Sequence, residues 1–168
     1  MVSDANLILN KKQVLQKIKR IAFEIYEQNV NEQEVVLCGI YDRGYYFAKM
    51  LEDALQEVSD LKVKLVKVQL DKPDPEQHEV TFDCDLKSLK HKSVVIVDDV
   101  LNTGKTLIYS LRPLLNVEIK KVQIAVLVDR SHKLFPVWAD YVGYSLSTTI
   151  KEHVEVVLDE ENFGVYLR

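Results

Sequence analysis

The sequence predicts an α/β fold in which a mostly parallel central sheet is flanked by helices. Three continuous apolar runs, at 34–38, 93–97 and 122–128, are typical of strands buried on both faces. They alternate with segments whose apolar residues recur at helical spacing, and this alternation favours parallel strands joined by helices. We find no internal repeat and no linker-like segment, so we expect the 168 residues to form a single domain, 1–168.

The clearest helix signal precedes the first buried run. Val14, Ile18, Ile21 and Ile25 form one apolar stripe, and Asn10 followed by Gln13 resembles a capping box at its start. Further helices are predicted around 47–54 and at 106–115. Residues 61–70 and 79–82 are predicted to form the arms of a hairpin around a polar loop, and short strands are expected at 154–158 and 164–167.

Composition limits the classes of function. The hydrophobic fraction of 47% and charged fraction of 29% are those of a soluble globular protein, and a net charge of −4 does not favour non-specific binding to nucleic acid. Cys38 and Cys84 lack metal-ligand spacing. Residues 1–10 lack a secretion signal, and no apolar run is long enough for a membrane span. We therefore expect a cytoplasmic protein without a membrane partner.

Three turn-forming segments follow the predicted buried strands. They lie at 39–44, 98–106 and 129–132. Because ligands of such sheets bind beyond the carboxyl ends of the strands, these segments are expected to share one edge.

The segment 94–106 is the most informative part of the sequence. A buried strand delivers the adjacent carboxylates Asp98 and Asp99, and a turn containing Thr103, Gly104 and Thr106 then begins a helix. Backbone N–H groups at such a helix start bind phosphate. The carboxylates would repel a phosphate, and they suit hydroxyl groups or a partial positive charge instead. A phosphorylated sugar supplies both partners.

This segment has two other interpretations. Gly104-Lys105-Thr106 resembles a P-loop, but that motif requires a glycine five residues before Gly104, where Asp99 stands. The remaining alternative is a plain strand–turn–helix connection with an acidic cap. Such turns are common, whereas the whole thirteen-residue pattern is unlikely to arise by chance.

The buried strand, the two acids, the three intervening residues and the Thr-Gly-x-Thr run together resemble the signature of type I phosphoribosyltransferases. Within that family the chain most resembles the pyrimidine operon regulatory proteins that have uracil phosphoribosyltransferase activity. The likeness extends to 37–44, 125–132 and 139–143 and is weakest at 69–81. It implies the type I phosphoribosyltransferase fold with a small hood and a flexible hairpin, and assembly as a homodimer or higher homo-oligomer.

The resemblance also implies roles for individual residues. Asp98 and Asp99 would be catalytic, holding the ribose hydroxyls of 5-phosphoribosyl-1-diphosphate (PRPP) and stabilising the oxocarbenium-like transition state. The remaining PRPP-binding residues would be Asn102, Thr103, Gly104, Lys105 and Thr106. The pyrophosphate loop, which often contains a cis non-proline peptide, would be Asp42, Arg43 and Gly44. Mg²⁺ would arrive with PRPP, held mainly by substrate and water, so no protein metal site is expected.

The base is suggested by Asn102. Relatives that use 6-oxopurines carry an aspartate at this position, and an asparagine cannot exchange a proton there, so uracil is favoured. The positions matching base recognition are Arg130, Tyr141, Val142 and Gly143. Their alternative interpretation is a strand-end arginine and a structural turn.

The sequence departs from the family in two places. Lys72 stands near the position of a hairpin arginine that closes over the diphosphate, and we expect Lys72 to take that catalytic role without the bidentate fork of arginine. The first helix carries Lys17, Lys19 and Arg20, where regulatory members bind messenger RNA. Three cations on a helix are more often a solvated face. A phosphoribosyltransferase is the leading hypothesis, and a nucleotide-sensing regulator that binds RNA is the alternative.

Overall fold

The computed structural model describes residues 6–76 and 78–168. In these residues the helices and strands follow one another in an order that alternates through most of the chain. The elements are β1 (Leu7–Asn10), α1 (Lys11–Gln28), β2 (Glu34–Ile40), α2 (Arg43–Val58), β3 (Lys62–Gln69), β4 (Thr81–Phe82), β5 (Ser93–Leu101), α3 (Lys105–Ser110), β6 (Lys121–Asp129), β7 (Tyr141–Ser145), β8 (Val154–Val157) and β9 (Gly164–Leu167).

The larger sheet contains six strands in the order β4-β3-β2-β5-β6-β7. All neighbouring pairs are parallel except β3 with β4, which is antiparallel. The predicted mostly parallel sheet and the predicted hairpin are therefore confirmed. β5 lies in the middle of the sheet, so the residues at its carboxyl end are surrounded by the ends of β2 and β6.

Both faces of this sheet are buried, as the continuous apolar runs predict. On β5, Val95 and Val97 point to the face covered by α1 and α2, whereas Val94 and Ile96 point to the opposite face with Leu107. All four valines and isoleucines are fully buried. A strand packed on both sides has a fixed register, and its last residues are held in place accordingly.

The helix α1 begins as the sequence predicts. Asn10 accepts a hydrogen bond from the amide of Gln13, and the Gln13 side chain accepts one from the amide of Asn10. The stripe of Val14, Ile18 and Ile21 is buried against the sheet. The capping box and the stripe are thus both confirmed.

Three element boundaries differ from the prediction. β2 continues through Gly39 and Ile40, and β5 continues through Leu101, so the two acids of β5 belong to the strand itself. The predicted helix at 106–115 is α3 followed by a separate 3₁₀ turn at Arg112–Asn116. Pro113 accounts for this break, because it has no N–H to donate and its ring conflicts with the carbonyl four residues earlier.

A smaller antiparallel sheet has the order β1-β9-β8 and packs beside the carboxyl edge of the large sheet. It corresponds to the hood expected from the family resemblance, although β1 was not predicted. The expectation about residues 1–10 lies partly outside the described residues. Across the described residues, 6–76 and 78–168, no helix is long and apolar enough to cross a membrane.

Candidate active site

A cavity of about 310 Å³ opens at the carboxyl edge of the large sheet. Its wall is formed by residues 98–107 together with Arg43, Lys72, His153 and Val154. The segments at 39–44 and 98–106 that were predicted to share one edge therefore meet in one cavity. The third segment, 129–132, lies behind this wall and contacts it through Arg130.

Two carboxylates form the floor of the cavity because β5 carries them to its carboxyl end. Asp98 is 2% exposed and Asp99 is 7% exposed. The Asp98 carboxylate accepts hydrogen bonds from the Asp99 amide at 2.9 Å and from the Lys72 ammonium at 3.2 Å. Lys72 also lies 3.9 Å from the Asp99 carboxylate.

Burial and charge act in opposite directions on these groups. Burial, followed by the neighbouring Asp99, raises the pKa of Asp98 to about 8, although Lys72 opposes the shift. Burial alone would lower the pKa of Lys72, but the attraction of Asp98 and Asp99 outweighs it and raises that pKa. The free site is thus a pair of acids partly neutralised by one lysine.

The first turn of α2 approaches this pair closely, and Gly44 makes the approach possible. A Cβ atom at Gly44 would lie 2.7 Å from the Val97 carbonyl oxygen and 2.8 Å from the Asp98 carboxylate. The peptide between Tyr41 and Asp42 is cis, as the resemblance to the pyrophosphate loop implies. Arg43 points along the cavity wall and lies 3.6 Å from Glu155 of β8.

The turn after β5 presents its backbone to the cavity. Gly104 has φ of +88°, a conformation that favours glycine, and it leads into α3. The Thr103 hydroxyl accepts a hydrogen bond from the Lys105 amide at 3.2 Å. The Thr103 carbonyl accepts hydrogen bonds from the amides of Leu134 and Phe135, which hold the turn from behind. Since α3 is short, its first amides, rather than a long helix dipole, are the groups available to an anion.

The segment between β3 and β4 is attached to the cavity by charge. Besides the Lys72 contact, Glu76 lies 3.1 Å from the Lys105 ammonium. Arg112 donates a hydrogen bond to the carbonyl of His78. The sequence placed Lys72 near the site, but it gave no indication of Glu76.

Comparison with known proteins agrees with this geometry. The family model named phosphoribosyl transferase domain matches residues 4–161 of the sequence. The chain is 34% identical to the bifunctional protein PyrR of Macrococcus caseolyticus, covering 98% of this chain and 99% of that protein. It is also 34% identical to bifunctional PyrR of Enterococcus faecalis, covering 86% of this chain and 85% of that protein.

The chain belongs to the phosphoribosyltransferase family. Its fold also matches the crystal structure of hypoxanthine phosphoribosyltransferase from Trypanosoma cruzi, with a TM-score of 0.81. At 18% identity, covering 96% of this chain and 95% of the other, that likeness concerns the fold alone.

In this phosphoribosyltransferase the residues predicted to recognise the base lie outside the cavity wall. The carbonyls of Val142 and Gly143 accept hydrogen bonds from Arg20 of α1, and the Tyr141 hydroxyl donates to Gln123. Arg130 uses its side-chain nitrogens within the protein. These contacts show what the four residues bind within the chain, and their role in base recognition remains a prediction.

His153 and Val154 line the cavity instead, and the sequence did not identify them. They stand at the start of β8 in the hood of the phosphoribosyltransferase, and the paired backbone bonds between His153 and Arg168 hold them there. A predicted strand at 154–158 gives no sign of which way its first residues face. That orientation depends on the antiparallel pairing of β8 with β9.

Metal-binding capacity of the site is limited. Within 6–76 and 78–168, no group of three or more His, Cys, Asp or Glu side chains is arranged to hold a metal ion. Asp98 and Asp99 offer carboxylate oxygens at the cavity floor. A Mg²⁺ ion at these carboxylates would need the rest of its octahedral oxygen shell from substrate and water.

Proposed function

We propose that this chain transfers the 5-phosphoribosyl group from PRPP to N1 of uracil and releases pyrophosphate. The carrying observation is that Asp98 and Asp99 share one cavity with the phosphate-binding turn at 103–106. A carboxylate pair and an anion cradle within one cavity of about 310 Å³ fit the two chemically different ends of a phosphorylated sugar. The 34% identity to bifunctional PyrR proteins supports the same assignment.

In this proposal the sugar is held at both ends. The amides and hydroxyls of Thr103, Gly104, Lys105 and Thr106, with the amide of Asn102, bind the 5-phosphate. The carboxylates of Asp98 and Asp99 accept hydrogen bonds from the two ribose hydroxyls. Their negative charge also stabilises the cationic character that develops at C1 as the bond to the diphosphate breaks.

The bond changes balance simply. The N1 atom of uracil forms a bond to C1 of the ribose, and the bond from C1 to the diphosphate oxygen breaks. The diphosphate leaves with the electron pair, and the N1 proton is lost to the diphosphate or to water. The cations near the leaving group are Arg43 and Lys72, both in the cavity wall.

Mg²⁺ would accompany PRPP in this proposal and would neutralise part of the diphosphate charge when bound. The residues that fit it are Asp98 and Asp99, which supply only part of its oxygen shell. Lys72 has a different part: it leaves the carboxylates, with which it pairs in the free protein, and contacts the diphosphate. A lysine neutralises this charge without the bidentate geometry of an arginine.

A pyrimidine is supported as the base. His153 and Val154 offer a wall against which a planar ring can lie at the hood end of the cavity. The side-chain oxygen of Asn102 already accepts a hydrogen bond from Arg130. An asparagine also has no proton to exchange with a purine nitrogen. Both facts favour uracil over a 6-oxopurine.

The decisive test measures transfer and binding together. The protein is assayed with PRPP and Mg²⁺ against uracil, orotate, hypoxanthine and guanine, and PRPP affinity is measured for the unmodified chain and for Asp98→Asn/Asp99→Asn. We expect turnover with uracil and a loss of PRPP affinity of about 100-fold or more in the variant, since each lost hydrogen bond to a charged group is worth roughly tenfold.

The matched control is Asp60→Asn, which removes an exposed carboxylate from the turn between α2 and β3. It should keep the affinity and turnover of the unmodified protein. Unchanged PRPP affinity in the double variant would contradict the assignment of the site. Turnover with a purine base but not with uracil would contradict the assignment of the base.

The name of the relatives, bifunctional PyrR, favours a second candidate, a nucleotide-sensing regulator that binds RNA. The contacts of α1 offer it less support, because Arg20 is engaged with Glu24 and with the carbonyls of Val142 and Gly143. Tight nucleotide binding with no turnover on any base, together with binding of a pyrimidine-operon leader RNA, would favour the regulator. Cytoplasmic location remains an expectation from the sequence, and homo-oligomeric assembly remains an expectation of the family resemblance.

A further inference from the structure

Arg130 lies next to the cavity without facing into it. It follows the last residue of β6, is only 7% exposed, and its backbone amide donates to the Leu101 carbonyl at 3.0 Å. A buried guanidinium is stable only when its donors have partners. The partners of Arg130 therefore indicate what this residue does.

One side of the guanidinium bonds to the phosphate-binding turn. Nη1 donates to the Asn102 side-chain oxygen at 2.8 Å. Asn102 immediately precedes the turn at 103–106 and belongs to the cavity wall. Arg130 thus fixes the orientation of the residue that begins the turn.

The other side bonds to the segment that leads into the hood. Nε and Nη2 donate to the Thr148 hydroxyl at 3.2 Å and 3.0 Å, and Nη2 also donates to the Glu152 carbonyl. His153 and Val154, which follow directly, form the opposite wall of the cavity. The nearby ring of His132 makes a further contact to the Thr148 carbonyl.

We propose that Arg130 is a positioning residue that sets the distance between the phosphate-binding turn and the His153–Val154 wall, and so couples binding at the phosphate end to binding at the base end. This inference rests on the proposed function. Only the planar fork of arginine can reach both segments at once, because a lysine has a single nitrogen with which to donate. A ligand that spans the cavity needs both walls at the right separation, whereas a ligand at one end does not.

The test compares three ligands: uridine 5′-monophosphate, which spans the cavity, ribose 5-phosphate and uracil. Their affinities are measured for the unmodified chain and for Arg130→Lys. We expect the variant to bind ribose 5-phosphate within about twofold of the unmodified chain and to bind the nucleotide roughly tenfold more weakly, the effect of losing one charge-assisted hydrogen bond. In turnover, KM for uracil should rise more than kcat falls.

A second variant keeps the inference testable if Arg130→Lys does not fold. Thr148→Val removes the hydroxyl through which Arg130 holds the hood segment, and it leaves the guanidinium in place. It should reproduce the selective loss of nucleotide affinity. Lys121→Met is the control, because Lys121 also joins two elements, donating from β6 to the Gln28 carbonyl at the end of α1, and both residues lie outside the cavity wall.

Each outcome decides the question. Equal loss of ribose 5-phosphate and nucleotide affinity would mean that Arg130 serves only the general stability of the fold, and it would overturn the inference. Unchanged nucleotide affinity in Thr148→Val, with altered base preference in Arg130→Lys, would show a direct base contact and would also overturn it. If the unmodified chain binds none of the three ligands, the proposed function fails together with the inference.

Discussion

The end of β5 and the segment between β3 and β4 both bring charged groups to the cavity, but they do so by different means. Asp98 and Asp99 are carried there by a strand that is buried on both faces. Lys72 and Glu76 are held by ion pairs to Asp98 and Lys105, and their side chains are 39% and 40% exposed. Packing places the first pair of residues, and ion pairs at the cavity hold the second.

This difference predicts different responses to a ligand. An anionic substrate cannot displace the packing of β5, because that packing involves no charge. It competes directly with Asp98 for Lys72 and with Glu76 for Lys105. The buried side of the site, Asp98 and Asp99, is therefore expected to stay fixed on binding. The hairpin side, Lys72 and Glu76, is expected to exchange its ion-pair partners.

Gly44→Ala tests how fixed the buried side is, and we expect the largest effect from it. The new Cβ would lie within 2.9 Å of the Val97 carbonyl oxygen and of Asp98 atoms, so α2 or β5 has to shift. Turnover should fall by about 100-fold, because a shift of about 1 Å at reacting groups has that effect.

Lys49→Ala, at an exposed position on the same helix, is the control for that measurement and should keep full activity. Normal turnover in Gly44→Ala would mean that the junction of α2 and β5 adapts without disturbing the acids. The buried side would then be as adaptable as the hairpin side.

Lys72→Ala tests the hairpin side, and a smaller effect is expected. Removing the ammonium leaves the diphosphate with one cation fewer, so kcat should fall roughly tenfold, within the range for the loss of one charged contact. Lys72→Arg should keep or increase the activity, since arginine binds phosphate with two parallel donors. Steady-state kinetics at saturating PRPP measures both, and an unchanged kcat in Lys72→Ala would remove this residue from the catalytic group.

Asp98→Asn tests how much the buried acid lowers the free energy of unfolding, and we expect the smallest effect from it. The pKa of Asp98 is raised in the folded protein, so unfolding releases its proton at any pH between the ordinary carboxylate range and about 8. The unfolded state then binds fewer protons, and the free energy of unfolding falls as the pH rises through that window.

Asparagine has no proton to release, so the variant should lose this part of the pH dependence. Its melting temperature near pH 7.5 should exceed that of the unmodified protein by a few degrees, since about 1 kcal/mol corresponds to roughly 2–4 °C in a domain of this size. The measurement is thermal unfolding of both proteins from about pH 5 to about pH 8, which lies within this window. Parallel curves for the two proteins would show that Lys72 fully compensates the buried charge.

The same contrast explains what the sequence could and could not predict. The strand β5, the acid Asp98 and the turn at 103–106 follow one another directly in the sequence. The hydrophobic pattern and the spacing of the motif were therefore sufficient to predict their arrangement. The resemblance implied a cis non-proline peptide in the loop of Asp42, Arg43 and Gly44, and the cis bond lies at its first residue, between Tyr41 and Asp42.

Contacts made across the fold were not predictable in this way. Glu76 lies in a polar loop whose spacing from Lys105 carries no pattern. Arg130 was predicted near the base, but its partners Thr148 and Glu152 belong to an irregular segment before β8. Their position depends on how the smaller sheet packs beside the larger one.

The ion pairs of the hairpin segment make that segment a tethered counter-ion of the cavity. Because Lys72 and Glu76 are joined to the site by a few residues of chain, their effective concentration is set by the tether and does not fall when the protein is diluted. A phosphorylated ligand therefore competes with Asp98 and Glu76 for Lys72 and Lys105, and this internal competition is the same at every protein concentration. Added salt screens exposed ion pairs such as Glu76–Lys105, and it also weakens the attraction between the ligand and these cations. The two effects oppose each other. The apparent affinity for PRPP should therefore depend less on ionic strength than the charge of PRPP alone would suggest.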